Sequence, residues 1–399
     1  MDLFGDKIKK KQFVLTYAVF FANGLLALSI GSLLPFIREA RNIDYAFGGL
    51  MVSLHSVGNL IAGFAAGALP MLIGKKRSIL LFELFFPVSF LIILLANSNF
   101  LFAFAFFATG LARGACSNYC NSKINSIATG KAWALNALHA MFAIGAFLFP
   151  LILMVITRED KSRWLIACVF MVILGCITWV LYLLNPEVDP DNTDAGNDNT
   201  NIKNTDVKKL LGFLHKPLFY LCTLTLFFYL CAEQGVIGWM ISYFKDTGLL
   251  NAGLSQVTAS VLWVMILCGR LTTAFFSTKV KKENLLPAMG VGIVIFFIIL
   301  LFSRSTTLIM LGIMGFGFSM AGIYATTVSF AGKLIKEYSL AWSFILTTAS
   351  FGSILMPSII GFIAEHAGIA TGMASVAIAL VIDMICIMSL VRYVKRNNI

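Results

Sequence analysis

The chain of 399 residues is 59% hydrophobic and only 12% charged, with a mean hydropathy of +0.88. Soluble domains carry roughly 25% charged residues, so this composition excludes a water-soluble globular protein. Apolar stretches of about 20 residues, each long enough to cross the hydrocarbon core as a helix, recur along the chain and predict a polytopic, all-α membrane protein.

Basic residues outnumber acidic ones by 30 to 19, which gives a formal net charge of +11. Most Lys and Arg residues fall in the two tails and in the even-numbered loops of the predicted topology. This distribution follows the positive-inside rule and predicts a multi-pass protein with both termini in the cytoplasm. The positive charge is therefore a topology signal, and we expect the lipid bilayer, not nucleic acid, as the surrounding partner.

Twelve transmembrane helices are predicted from the apolar stretches between charged residues or Gly, Pro and Asn. They cover residues 13–37, 46–73, 78–96, 100–122, 132–156, 163–184, 217–244, 252–277, 284–303, 306–332, 340–364 and 370–393. The break after span six is rich in Asn, Asp and Thr, a composition that cannot bury a core. We predict an N-terminal six-helix bundle over 1–184, a cytoplasmic linker over 185–216 and a C-terminal six-helix bundle over 217–399.

The two predicted halves carry similar motifs at corresponding positions. The corresponding residues are Gly58 and Gly269, Gly110 and Gly315, and Gly145 and Gly352, with Pro150 and Pro357 following the last pair. Because each half holds an even number of spans, both halves enter the membrane from the same side. The sequence therefore predicts two parallel repeats related by an axis along the membrane normal.

The loop between spans two and three combines glycines with a basic run. Its residues are Gly67, Gly74, Lys75, Lys76 and Arg77. Together with the six plus six arrangement, this motif resembles the major facilitator superfamily, although Met71 stands where that family has an aspartate. The resemblance implies the twelve-helix major facilitator fold and a loop that latches the two halves in the outward-facing state. The alternative is that the basic run only sets the topology.

Span four carries a continuous polar sector. At about 100° per residue, Arg113, Ser117, Asn118 and Asn121 fall on one side of the helix. Polar groups facing lipid are costly, so this side faces a cavity or a neighbouring helix. For Asn118 and Asn121, substrate contact and hydrogen bonding between helices are both open. For Arg113, the alternatives are binding of a substrate or anion and a buried ion pair.

Span five contains the run Asn-x-x-His-x-x-Phe-x-x-Gly-x-x-x-x-Pro from Asn136 to Pro150, and span seven contains Glu233 and Trp239. These motifs resemble the branch of fucose, galactose and glucose:proton symporters, which includes fucose permease and sodium-dependent glucose transporter-like proteins. By that resemblance, the branch's polar positions are matched here by Asn121, Asn136, His139 and Glu233. Ser117 stands where the branch commonly has an Asp.

Proton coupling is predicted for Glu233 and His139, since a carboxyl group and an imidazole inside the membrane can each bind and release a proton. The alternatives are a structural Glu233 paired with Arg113 and a His139 that only hydrogen-bonds in the core. Trp239 is predicted to stack on a substrate ring or to pack within the protein.

Three other ionisable residues lie within the predicted spans. We interpret Glu83 as neutralising the basic loop and Asp383 as a structural residue that pairs with Arg270 or another helix. His55 is mainly interpreted as structural, with a place at the cavity as the alternative.

These features predict a secondary active transporter of a small polar solute, most consistent with a sugar or polyol, working by alternating access. A proton or sodium gradient would drive it, and we expect no cofactor, metal site or catalytic residues. The alternatives are an exporter or carrier of organic anions or drug-like molecules, and a membrane sensor that does not transport. We expect a functional monomer in a bacterial inner membrane.

Overall fold

A computed structural model of the chain describes residues 7–128, 132–185, 211–338 and 340–397. Within these ranges the chain forms twelve helices that are long and apolar enough to cross a membrane. They are α1 (Lys7–Arg41), α2 (Tyr45–Ile73), α3 (Lys75–Leu95), α4 (Asn99–Ile127), α5 (Ala132–Ile156), α6 (Trp164–Leu184), α7 (Pro217–Asp246), α8 (Ala252–Phe276), α9 (Lys282–Phe302), α10 (Thr306–Glu337), α11 (Ala341–Ala367) and α12 (Ile369–Asn397). The predicted count of twelve is confirmed.

Two of the twelve helices are interrupted. The first segment of α10 ends at Met320 and the second begins at Ile323, whereas α12 is broken between Ala374 and Val376. Most of the predicted linker, residues 186–210, lies outside the described residues. Its last part, Gly212–His215, forms a short 3-10 helix that leads into α7.

The first and fourth helices extend beyond the predicted apolar spans. α1 contains 35 residues, which at about 1.5 Å per residue exceeds the roughly 30 Å of the hydrocarbon core. Hydropathy identifies only the part of a helix that lies within the hydrocarbon core. The polar ends of α1 and α4 therefore lie outside the predicted spans. Capping fixes the start of α2, since the Asp44 carboxylate accepts a hydrogen bond from the backbone N–H of Phe47.

Glycines bring helices into close contact in the same way in both halves. A Cβ at Gly145 would lie 2.1 Å from the carbonyl oxygen of Phe21 in α1. A Cβ at Gly352 would lie 2.2 Å from that of Phe227 in α7. The α1–α5 and α7–α11 contacts therefore correspond, as expected for a repeat. Gly315 does not follow this rule, because it packs on the Phe296 ring.

The two halves meet along two pairs of helices. α2 packs on α11, and α5 packs on α8. Between these two contacts the inner helices enclose the cavity described below.

Candidate functional site

A cavity of about 300 Å³ lies between the two halves. Its lining comes from α1, α2, α4 and α5 on one side and from α7, α8 and α10 on the other. The polar lining residues are His55, Arg113, Ser117, Asn121, His139, Glu233, Gln234 and Arg270. The aromatic lining residues are Phe20, Phe142, Tyr229, Trp263 and Tyr324. The break in α10 lies just before Tyr324, and interrupted helices commonly line transport sites.

Glu233 provides the only carboxylate among the lining residues of this cavity. The Tyr229 hydroxyl, one helical turn away, donates a hydrogen bond of 3.0 Å to its Oε1. The positive charges of Arg270 and Arg113 both act on it. Among the described residues, however, neither arginine forms an ion pair with it. Glu233 is therefore held by a tyrosine and keeps carboxylate lone pairs for a ligand or a proton.

His55, a lining residue of the cavity, has an unpaired and buried ring nitrogen. The Thr109 hydroxyl donates its single proton to the Phe106 carbonyl oxygen at 2.6 Å, so it accepts from His55 Nδ1 at 2.8 Å. A neutral ring protonated on Nδ1 has an accepting Nε2, and that atom is buried without a hydrogen bond from any described residue. A buried orphan acceptor on a lining residue indicates a place for a ligand donor.

Four of the predicted binding residues line the cavity, namely Arg113, Asn121, His139 and Glu233. The Asn121 side-chain amide donates a hydrogen bond of 2.8 Å to the Ser117 carbonyl oxygen, one turn earlier in the same helix. His139 is solvent-exposed, and its ring lies 5.6 Å from that of Phe20. The structure thus brings together residues from spans four, five and seven. Their roles stay predictions.

The other three predicted binding residues lie outside the cavity lining. Asn118 and Asn136 are exposed, and the Asn118 amide donates to the Gly114 carbonyl oxygen at 3.0 Å. Trp239 is fully buried, and its Nε1 donates to the Pro357 carbonyl oxygen at 2.9 Å. It follows Glu233 by six residues, which turns it about 240° around the helix, away from the cavity. Substrate contact by these three stays a prediction.

Polar contacts close the cavity at the end of the bundle opposite the chain termini. Arg38 Nη1 lies 3.2 Å from Asp246 Oδ2, and the Tyr45 hydroxyl donates to the same oxygen at 3.0 Å. Beside them, Lys245 Nζ lies 2.5 Å from Glu39 Oε2. These residues belong to α1, α2 and α7, so the ion pairs join the two halves.

At the end of the bundle that holds the chain termini, the loop between α2 and α3 is exposed. Met71 is 87% exposed, and a Cβ at Gly67 or Gly74 would have no neighbour within 4 Å. Gly74 has a φ of +84°, a conformation that favours glycine in the turn between α2 and α3. The basic residues Lys75, Lys76 and Arg77 follow in the first turn of α3. The loop predicted to act as a latch is therefore exposed at the end that holds the termini, and its latch function stays a prediction.

Two buried acids differ from their predicted surroundings. Glu83 is 2% exposed and accepts a 2.6 Å hydrogen bond from Thr178 in α6, so it faces the inside of the N-terminal half rather than the basic loop. Asp383 is 1% exposed, and neither carboxylate oxygen has a hydrogen bond among the described residues. It is therefore not paired with Arg270.

Sequence patterns alone do not assign His55, Arg270 or the closing residues to the site. His55 has no distinguishing neighbour in sequence, because its partner Thr109 comes from another helix. The sequence suggests Arg270 only as a partner of Asp383, although a charge within span eight is a usable signal for the cavity. The closing residues Arg38 and Asp246 lie just beyond the predicted spans.

The chain is similar to known transporters over most of its length. The profile of the Major Facilitator Superfamily matches residues 16–336. The glucose/mannose transporter GlcP of Bacillus subtilis (strain 168) is 24% identical over 362 residues, 87% of this chain and 86% of that protein. A mutant of the nucleoside transporter NupG has a TM-score of 0.80 at 14% identity, over 95% of this chain and 99% of its own. A D-xylose-proton symporter has a TM-score of 0.73 at 13% identity, over 95% of each chain.

Proposed function

Because the chain belongs to the Major Facilitator Superfamily, we propose that this multi-pass membrane transporter carries a small neutral solute, a sugar or polyol, by alternating access. We further propose that a proton gradient drives accumulation, with a sodium gradient as the alternative. The relative GlcP, described as a glucose/mannose transporter, supports a hexose as the first solute to test.

The hydrogen-bonding set of the cavity is the observation that carries the sugar proposal. His55 Nε2 and the Glu233 carboxylate supply acceptors for hydroxyl donors. Trp263 and Phe142, with ring centroids 5.7 Å apart, supply an apolar wall. A sugar has hydroxyls around an apolar ring face, which suits such a lining. A volume of about 300 Å³ lies at the small end of ligand pockets and favours a small solute.

The charges around Glu233 support proton coupling. A single carboxylate that faces Arg113 and Arg270 can exchange a proton as those charges approach or withdraw. When the two halves rock, Glu233 moves with α7 and Arg113 with α4. The distance between these charges therefore changes during the cycle, which would link protonation to conformation.

We place both termini in the cytoplasm, as the distribution of basic residues favours. The ion pairs of Arg38 and Lys245 then close the outer side, and the end of the bundle without such pairs among the described residues faces the cytoplasm. We infer that the structure represents an inward-facing state of a monomer in a bacterial inner membrane.

A second candidate function is transport of an organic anion. Arg113 and Arg270 line the cavity with one carboxylate between them, and neither has an ion-pair partner among the described residues. The two guanidinium groups thus leave the cavity with excess positive charge. This observation favours a carboxylate or phosphate on the substrate.

Counterflow in proteoliposomes distinguishes the two candidates. Liposomes loaded with a hexose, a polyol or an organic acid are tested for exchange with the labelled compound outside. The proposal predicts exchange of a neutral hexose, reduced about tenfold or more in His55→Phe because a lost hydrogen bond in a buried site is costly. His366→Phe, at an exposed helix end, is the matched control. Exchange of organic acids alone, lost in Arg113→Gln, would establish the second candidate instead.

A further inference from the structure

A second and larger cavity, of about 1000 Å³, lies within the C-terminal half. It is at the terminal end of the bundle, between α8, α9, α10 and the last turns of α12. The charged side chains along it are Arg270, Lys281, Lys282, Glu283 and Lys395. The lining thus contains four positively charged side chains and one negatively charged side chain.

The described lining of this cavity carries more positive than negative charge. Within the described part of the chain, none of these five residues forms an ion pair. Lys282 Nζ lies 4.3 Å from the centroid of the Phe330 ring, a cation–π contact that orients the amine without compensating its charge. A concave surface with several uncompensated cations concentrates anions.

The remaining lining residues suit an anion with several oxygens. Polar side chains occur at Thr273, Ser277, Asn284, Thr326 and Ser329. The hydroxyls of Thr273, Ser277 and Ser329 already donate within the protein, so the neutral donors toward a ligand are Asn284 and Thr326. Apolar residues such as Val280, Leu285 and Val394 form the rest of the wall. A phosphate group accepts hydrogen bonds on several oxygens at once, from charged and neutral donors together.

The charge also extends into the membrane. Arg270 lies six residues before the end of α8, about 9 Å along the helix, whereas Lys281 and Lys282 lie at the rim. In the N-terminal half, the corresponding position holds the neutral Asn59 above the basic loop of Lys75–Arg77. At this position of the repeat, a positive charge therefore occurs in the C-terminal half only, which a topology signal alone does not require.

We propose that this cavity, which shares only Arg270 with the cavity between the two halves, is a binding site for a phosphate-bearing anion. Basic pockets between helices at the cytoplasmic face can bind anionic lipid headgroups. The same chemistry would bind a soluble phosphate compound. The proposal does not depend on which solute is transported.

The test compares two variants of the full chain that each lose three positive charges at the same end of the bundle. Lys281→Gln/Lys282→Gln/Lys395→Gln removes charge from the cavity, and Lys75→Gln/Lys76→Gln/Arg77→Gln removes it from the N-terminal loop. Arg270 is kept because it also lines the cavity between the halves. Melting temperatures establish that both variants are folded.

Two probes distinguish the source of the phosphate. Native mass spectrometry measures retention of added phosphatidylglycerol against phosphatidylcholine, and labelled inorganic phosphate is titrated onto the chain in phosphatidylcholine nanodiscs. We expect at least one probe to bind, with about tenfold or greater weakening in the cavity variant and little change in the loop variant. Binding of phosphatidylglycerol alone identifies a lipid, and binding of free phosphate identifies a soluble ligand. Equal losses in both variants, no loss in the cavity variant, or no binding of either probe would overturn the proposal.

Discussion

Single residues decide what the cavity between the halves can bind and which ion it can couple. Glu233 has a tyrosine partner and two arginines within electrostatic range, and His55 Nε2 is a buried acceptor without a hydrogen bond from the described residues. Sequence could identify Glu233, since an acid within an apolar span is rare. It could not reveal the role of His55, which depends on Thr109 in another helix and on the direction of one hydroxyl proton.

Glu233→Gln is expected to abolish gradient-driven accumulation while counterflow exchange remains measurable. The amide keeps the size and much of the hydrogen bonding of the side chain but cannot release a proton. Uptake into proteoliposomes with and without a pH gradient measures this difference. Glu83→Gln is the matched control, because Glu83 is buried outside the cavity and should leave coupling intact. Unchanged accumulation by Glu233→Gln would disprove its role in coupling.

Asp383→Leu is expected to raise stability rather than lower it. The carboxylate is 1% exposed and has no hydrogen bond from the described residues, and an unsatisfied buried polar group costs about 1–3 kcal/mol. Thermal melting of the purified variant should therefore occur at a higher temperature. A lower melting temperature would show that Asp383 has a stabilising partner, and loss of transport with normal melting would give it a function.

At the level of helices, hydropathy predicted the count and the apolar cores because both follow from the thickness of the bilayer. It could not predict how α1 and α7 continue into polar ends that meet each other, since those contacts join residues some 200 positions apart in sequence. The glycine pairs were visible as a repeat. In the structure, Gly145 and Gly352 each pack against a backbone carbonyl oxygen of a neighbouring helix. Gly110 and Gly315 differ, because Gly110 packs against a backbone carbonyl oxygen and Gly315 against a phenyl ring.

Gly361→Val is expected to open the end of the bundle that is closed here. A Cβ at this position of α11 would lie 2.4 Å from the Tyr45 carbonyl oxygen of α2, so a larger side chain must push the two helices apart. Labelling of a cysteine at Ser53, which hydrogen-bonds to Ser358 across the same interface, should become faster. Gly332→Val, where a Cβ meets open space, is the control. Equal labelling in both variants would contradict the proposed contact.

For the whole molecule, the ion pairs opposite the termini are expected to bias the transporter toward the state observed here. Arg38 and Asp246 join the two halves with side chains that are 10% and 20% exposed. A pair of this kind contributes about 1 kcal/mol, which changes a two-state ratio about fivefold. Asp246→Arg should therefore populate the state that is open at this end, and adding Arg38→Asp should restore the original ratio. Distances between spin labels across this end measure both ratios, and no rescue by the second change would contradict the pairing.

The overall architecture also explains why the substrate remains the hardest property to read from sequence. The cavity exists only where seven helices from the two halves converge, so its shape and its charge balance are properties of the assembled bundle. Fold and family follow from patterns that cover most of the chain. The choice between a neutral sugar and an anion depends on a few side chains, above all Arg113, Arg270 and Glu233.

Uptake of a labelled hexose into proteoliposomes under an imposed pH gradient, acid outside, tests the central claim most directly. The proposed function predicts accumulation above the external concentration, which disappears when a protonophore is added and is absent in Glu233→Gln. Hexose uptake no greater than that of empty liposomes, together with gradient-driven accumulation of an organic anion, would contradict it.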